Sequence, residues 1–297
     1  MATLPPRAVF VTRQSEYDWL IARHATRGQA RFFLEQRGQS LAEVEARHAA
    51  QERAVHAAHA ALPDEWRHAD IRREDLDRFL FTPEDVVVAL GQDGLVPNVA
   101  KYLSGQKVIG INPDPARYDG VLARFAVENL ADLLVRAWHD DAEVEARTMA
   151  EGRLDSGERL LALNELFVGH RSHQSARYLI EDGGKGEEQS SSGLIVATGT
   201  GATGWARSIM LATGVDLPLA PTRTALGWFV REPFPSVATG TTMRAGLLES
   251  GRLALTSRMN DGGVVFADGM EADFLHFGWG RKLDIGVASE RLNLVVG

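Results

Sequence analysis

The strongest constraint on the fold is the run Asp85-Val86-Val87-Val88-Ala89-Leu90, with Gly91-Gln92-Asp93-Gly94 directly behind it. A strand that is apolar at successive positions has no polar face to give to water. It must be covered on both sides, as inside a parallel sheet. Ala8–Val11 and Lys107–Asn112 are further apolar runs, and with Trp66–Ile71, which also looks like a strand, they alternate with helical stretches. Ser15 ahead of Tyr17–Ile21 marks one helix start, and Ser40-Leu41-Ala42-Glu43 has the capping-box spacing of another. The second helix is expected from Leu41 to Leu62, where Pro63 stops it, along the stripe Leu41, Val44, His48, Gln51, Val55, Ala58 and Leu62. Asn98–Leu103 and Val121–Trp138 read as further helices. Alternating strands and helices predict a doubly wound, Rossmann-like α/β sheet. Ligands of such sheets sit beyond the carboxyl ends of the strands, where Asp93 and Asn112 would lie.

Past Trp138 the pattern changes. Leu160–Val168, Ala176–Glu181, Gly193–Ala197, Ala225–Val230, Gly251–Thr256 and Val264–Ala267 read as strands with turn residues between them. Asp182–Ser192, rich in Gly and Ser, reads as an exposed turn or loop. The chain's 297 residues fit one large domain or two ordinary ones, and this change of character favours two. The expected organisation is an α/β domain over 1–138 and a mostly β domain over 139–280, with a tail of about 280–297 returning to the first.

Composition removes several classes. Zero cysteine excludes a disulfide scaffold, a thiolate metal site and a Cys nucleophile. With 40 acidic against 32 basic residues, the net charge of −8 argues against a nucleic-acid partner. No apolar run approaches the roughly 18 residues of a membrane span, and the N-terminus shows no signal-peptide core. The expectation is a cytoplasmic protein without membrane or nucleic-acid partners.

Three segments can carry chemistry. Gly91-Gln92-Asp93-Gly94 offers glycines that let backbone N–H groups approach a phosphate, with a carboxylate set between them. A carboxylate facing a polyanion is repelled unless it takes a proton or holds a metal; otherwise the segment is a plain turn with Asp93 as a helix cap. Thr198-Gly199-Thr200-Gly201-Ala202-Thr203-Gly204-Trp205 joins an apolar strand to the helix expected over Trp205–Ala212, which makes a plausible anion cradle. Asn164-Glu165 interrupts an otherwise apolar run, as a strand end at the surface or as a pair that holds ribose hydroxyls or an amide. His48, Glu52 and His56 share a helix face, but the outer two are about 12 Å apart along a straight helix, too far for one ion. His56 and His59 lack a fixed third ligand, so no metal-binding residues are assigned.

Taken in order, these motifs resemble those of the NAD kinase family, which has a Gly-Gly-Asp-Gly-Thr loop, an Asn-Glu pair and a Thr-rich loop ending in Thr-Ala-Tyr. The likeness is closest to the mitochondrial-type branch, on Val108–Pro115, Asn164–Gly169, Ser191–Leu194 with Thr198–Gly201, and Arg231-Glu232-Pro233. It runs from Ala8 to Asp268-Gly269. The resemblance implies an α/β domain followed by a mostly β domain, with the active site in the cleft between them. It also implies transfer of the γ-phosphoryl of ATP, with Mg²⁺, to the 2′-hydroxyl of the adenosine ribose of NAD. On this basis Asp93 is the catalytic base and Gly91 and Gly94 lie beside the phosphates. Asn164 and Glu165 would hold the NAD ribose, and Thr198, Thr200, Gly201, Thr203, Trp205 and Ser208 would line the nucleotide site. A homodimer or homotetramer is implied as well. Gln92 and Leu95 depart from the family's glycine and threonine; a glycine required at φ > 0 would strain Gln92 by about 1–2 kcal/mol. These departures motivate two alternatives, a catalytically weakened nucleotide-binding protein of the same fold and a lipid or diacylglycerol-type kinase.

Overall fold

The computed structural model describes residues 5–297. The chain forms two compact units, Met1–Glu145 with Asn293–Gly297, and Ala146–Leu292.

The first unit is built on strands β1 (Arg7–Thr12), β2 (Arg67–Arg72), β3 (Asp85–Leu90) and β4 (Lys107–Ile111). They lie in the order β2-β1-β3-β4, all parallel, and Asn293 and Leu294 extend the sheet beside β4. Val86, Val88 and Leu90 of β3 pack with Phe10, Ile109 and the helical residues Ala54, Ala58, Leu130, Leu133 and Leu134. Val87 and Ala89, which point the other way, are equally buried. The helices are α1 (Glu16–His24), α2 (Arg27–Glu35), α3 (Leu41–Ala60), α4 (Leu95–Ala100) and α5 (Leu130–Trp138). Ser15 closes a capping box on α1: its Oγ accepts the Asp18 N–H at 3.1 Å, and the Asp18 carboxylate accepts the Ser15 N–H at 3.3 Å. The capping box expected at Ser40 does not form, since Ser40 makes no side-chain cap bond. Of the expected α3 stripe, Leu41, Val44 and Ala58 are buried, whereas His48 and Gln51 are not.

Two expected helices move. The one placed at Asn98–Leu103 begins three residues earlier, at Leu95, and all six residues of α4 are buried. The one expected from Val121 begins only at Leu130, after a 3-10 turn at Val127–Asn129. The N–H groups of Val121, Leu122 and Ala123 are spent on the Asp93 carboxylate, and Phe125 bridges to Ile111, so this stretch cannot enter a helix. Gly110 permits the arrangement: a Cβ there would stand 2.2 Å from the Leu122 carbonyl oxygen.

The second unit is a pair of sheets. Its strands are β5 (Val144–Leu154), β6 (Arg159–Ala162), β7 (Glu165–His170), β8 (Ala176–Asp182), β9 (Lys185–Ser191) and β10 (Leu194–Ala197), then helix α6 (Trp205–Thr213). They continue with β11 (Leu226–Val230), β12 (Ala245–Leu248), β13 (Leu253–Ser257), β14 (Gly263–Ala267), β15 (Phe274–His276) and β16 (Lys282–Val295). One sheet is antiparallel in the order β12-β11-β10-β7-β14-β15. The other joins β9, β8, β13 and β16, with β5 beside β16 and β6 beside β5. Between them lies an apolar core that includes Val168, Tyr178, Trp228, Leu255 and Leu283. On the far side of the first sheet, Phe167, Ile195 and Phe229 pack against α6 through Ala206, Ile209 and Met210.

Asp182–Ser192 is not a loop. Lys185–Ser191 is strand β9, a hairpin partner of β8 through Gly183-Gly184, both in the left-handed region. The polar alternation Glu187, Gln189, Ser191 hid this strand; of these, Gln189 and Ser191 are buried and hydrogen-bonded. The single strand expected over Leu160–Val168 is two, β6 and β7, broken at Leu163-Asn164.

Candidate functional site

In the first unit the loop after β3 presents Gln92, Asp93 and Gly94. Together with Asn112, residues 117–121 and Ala123 it lines a cavity of about 450 Å³. Asp93 does not cap α4, whose N-cap is Gly94 without a side-chain bond. Its carboxylate reaches across the loop: Oδ1 accepts the Leu122 and Ala123 N–H groups at 2.9 Å each, and Oδ2 accepts Val121 N–H at 2.8 Å. A carboxylate offers about four lone-pair sites. Three are used here, and the remaining one is on Oδ2. Asn112 braces the same segment, donating from Nδ2 to Tyr118 O at 2.8 Å and accepting Asp114 N–H at 3.0 Å.

Gln92 carries no backbone strain, because it lies outside the left-handed region, as do Gly91 and Gly94. Its Oε1 accepts from Arg13 Nη2 at 2.5 Å. Leu95 is 1% exposed and sits against Gly91, where a Cβ would meet Leu95 Cδ2 at 3.0 Å. The side chain that replaces the family's threonine is therefore a core residue.

In the second unit the other expected residues gather around one aspartate. Asp268, just beyond β14, accepts Leu163 N–H at 3.0 Å, Asn164 N–H at 2.7 Å and Glu165 N–H at 3.2 Å. Its own N–H donates to Glu165 O at 3.0 Å, and its φ of 52° is in the region that Asp tolerates better than most residues. These bonds consume the N–H groups that a continuous strand would need, so Leu160–Val168 breaks there. They also hold the Asn164-Glu165 pair on a fixed backbone. Both units thus use the same device, one aspartate gathering three consecutive N–H groups.

The Thr-rich loop closes on the same pair. Thr198 Oγ1 donates to Leu163 O at 2.5 Å and accepts Thr200 N–H at 3.1 Å and Gly201 N–H at 3.3 Å. Thr198 N–H donates to Asn164 O at 2.9 Å. Thr200 is buried, and its hydroxyl has no protein partner. Gly201 packs on Asn164, where a Cβ would stand 2.1 Å from the Asn164 carbonyl oxygen. Gly201→Ala is therefore expected to destabilise the protein by about 1–3 kcal/mol, read as a fall in urea midpoint. The same substitution at Gly94, where a Cβ meets nothing within 4 Å, should leave the midpoint within about 0.5 kcal/mol of wild type.

Thr203 and Ser208 are exposed. Trp205 lies to one side, stacked on Phe167 with ring centroids 6.0 Å apart, under the Arg231 guanidinium at 5.0 Å. Its aromatic face is used in packing within the second unit.

Glu165 is largely buried and near Asp268. Burial first, then that neighbouring charge, pushes its carboxyl up to about 7. Near neutrality it is shared between a donor and an acceptor form, which suits a partner to sugar hydroxyls.

His59, expected as a weak partner of His56, lies instead with His68 and Asp70 of β2, their ligand atoms within 4.8 Å of one another. Two imidazoles are poor ligands for magnesium, and none of the three lines the cavity beside Asp93. Sequence reasoning missed Arg13 and the structural role of Asp268. The Asp268-Gly269 dipeptide is a turn signal, but the range of its hydrogen bonds is invisible in the sequence.

No family profile matches the chain. The NAD kinase of Thiobacillus denitrificans is 34% identical over 139 residues, 43% of this chain and 46% of that protein. That of Chlorobaculum tepidum is 28% identical over 128 residues, 42% and 44% of the two chains. The rat protein named NAD kinase 2, mitochondrial, is 27% identical over 256 residues, 69% of this chain and 60% of that one. The chain spans about half the length of the bacterial relatives it matches. Among solved structures, yeast NADH kinase complexed with NADH has a TM-score of 0.63 at 15% identity, covering 99% of this chain and 84% of that one. An Archaeoglobus fulgidus NAD kinase in complex with ATP has a TM-score of 0.58 at 20% identity, covering 98% and 93%. The fold is the one these dinucleotide kinases share, an α/β unit with a β-sheet unit. The sequence relatives are named NAD kinases, and the fold is that of the yeast NADH kinase and Archaeoglobus fulgidus NAD kinase structures.

Proposed function

We propose that the chain is an NAD kinase, transferring the γ-phosphoryl of ATP to the 2′-hydroxyl of the adenosine ribose of NAD to form NADP. The observation that carries this reading is Asp93. Its carboxylate is oriented by three backbone N–H groups and keeps one acceptor site on Oδ2. A ribose hydroxyl is a poor nucleophile until a positioned base takes its proton as charge develops. The free lone pair gives Asp93 that capacity without dismantling the loop.

Most of the remaining catalysis in phosphoryl transfer is positioning and charge neutralisation. Asn164 and Glu165, on a backbone pinned by Asp268, would hold ribose hydroxyls. The Thr200 hydroxyl, buried and without a protein partner, would donate to a nucleotide oxygen. Magnesium would arrive as MgATP. Gly91 and Gly94 would flank the phosphates, and Trp205, Thr203 and Ser208 would border the nucleotide.

The weakened-binder reading rested on Gln92 and Leu95. Gln92 has an ordinary backbone and a partner in Arg13, and Leu95 fills the core, which supports the kinase reading over the weakened one. Among the described residues no helix is long and apolar enough to cross a membrane. A cytoplasmic location and a dimeric or tetrameric assembly belong to the proposal by analogy. The direct test is incubation with NAD⁺, ATP and Mg²⁺ and detection of NADP⁺ with an NADP-specific dehydrogenase. Formation of NADP⁺ supports the reading; its absence with ATP, other nucleoside triphosphates and polyphosphate overturns it.

A further inference from the structure

We propose that a second pocket in the first unit, built around Arg13, receives the terminal phosphoryl groups of the phosphoryl donor. This rests on the phosphotransferase reading and names the part of the chain that grips the polyphosphate.

Topology comes first. In the order β2-β1-β3-β4 the chain crosses from β1 to β2 on one side and then returns to β3 on the other. The switch point therefore lies beyond the carboxyl ends of β1 and β3, where doubly wound sheets hold their ligands. Arg13 is the residue after β1, and Gly91-Gln92 follow β3. Between them is a cavity of about 90 Å³, closed on its far side by Arg47, His48 and Gln51 of α3.

Charge comes second. The pocket also carries Glu16 and Asp114, but Glu16 is paired with Arg47, and Asp114 lies 3.6 Å from Arg117. Arg13 has no carboxylate partner among the described residues. Its side chain is held only by the neutral Gln92, and Gln51 Nε2 donates to its carbonyl oxygen at 2.8 Å. One uncompensated guanidinium thus remains, with a fork that matches a phosphate. Gln92 now has a purpose: where the family has glycine, this chain has a carboxamide that aims Arg13 at the phosphate loop.

The test measures binding and turnover separately. Inorganic tripolyphosphate is titrated calorimetrically into the full chain and into Arg13→Ala, Arg13→Lys and Gln92→Gly, each checked for an unchanged melting temperature. Arg13→Ala is expected to weaken binding about tenfold or more. Arg13→Lys should recover part of the loss, because it restores the charge without the fork. Gln92→Gly should fall between, having freed the guanidinium. In turnover, Arg13→Ala should raise KM for ATP and for polyphosphate while KM for NAD stays within about twofold. Tripolyphosphate binding that is unchanged in Arg13→Ala overturns the proposal, and so does a rise in KM for ATP with tripolyphosphate affinity intact. Arg13-dependent tripolyphosphate binding in a wild-type chain that makes no NADP would support the pocket and overturn the kinase reading.

Discussion

Asp93→Asn is expected to lose both NADP formation and stability, with the unfolding free energy of the first unit falling by about 3 kcal/mol. The reason is geometric. Three N–H groups, from Val121, Leu122 and Ala123, converge on two carboxylate oxygens, and hydrogen bonds to a charged acceptor are each worth about 1.5–3 kcal/mol. An amide turns one acceptor into a donor aimed at another donor. A base that served chemistry alone would lose turnover and keep its urea midpoint. Asp93→Asn is thus an impure test of catalysis, and Asp93→Glu completes it. The longer carboxylate retains charge and partial loop contacts, so its midpoint should recover while the displaced oxygen leaves turnover low. Equal midpoints for wild type and Asp93→Asn would show that the carboxylate does not hold the 121–123 segment in solution.

The second large effect is a pH dependence at Glu165. Burial and the nearby Asp268 raise its carboxyl from the ordinary 4.5 to about 7 in the folded chain. Between those values the folded state binds more protons than the unfolded state, so stability falls as pH rises. It is greatest below about 4.5 and is lost through 7, a change of about 3 kcal/mol. Glu165→Gln, neutral at every pH, should remove this component. Its urea midpoint is expected to match wild type near pH 5 and to exceed it at pH 8. A difference that is the same at both pH values would place the raised carboxyl elsewhere. Substrate that prefers ionised Glu165 should narrow the gap at pH 8, because binding the folded state adds to its stability.

The parallel sheet of the first unit was legible because its signal is local. The run Asp85–Leu90 has no polar face, and a strand of that kind admits few environments. Lys185–Ser191 was read as a loop because a hairpin strand with polar side chains on both faces looks like one, and its buried Gln189 donates to a carbonyl 54 residues away. The helix expected from Val121 failed for a related reason. Its apolar spacing was sound, but its N–H groups were claimed by a carboxylate about 30 residues upstream. Of the candidate site, the glycine loop, the Asn-Glu pair and the Thr-rich loop lay in the sequence as motifs. Asp268, which pins that pair from 104 residues away, did not. Nor did Arg13, which becomes informative only when the strand order places it opposite Gln92. Gly91 and Gly94 have ordinary φ values, whereas Gly110 and Gly201 are required by close backbone approach, which no motif in the sequence announced.

The central claim is that the remaining lone pair of Asp93 Oδ2 meets the hydroxyl to be phosphorylated. A structure of the chain with NAD bound tests this most directly. The adenosine 2′-oxygen is expected within about 2.6–3.2 Å of Asp93 Oδ2, with the three N–H bonds from residues 121–123 still in place. An NAD molecule whose 2′-oxygen is instead held by other groups, with Asp93 Oδ2 out of hydrogen-bond reach, would contradict the account.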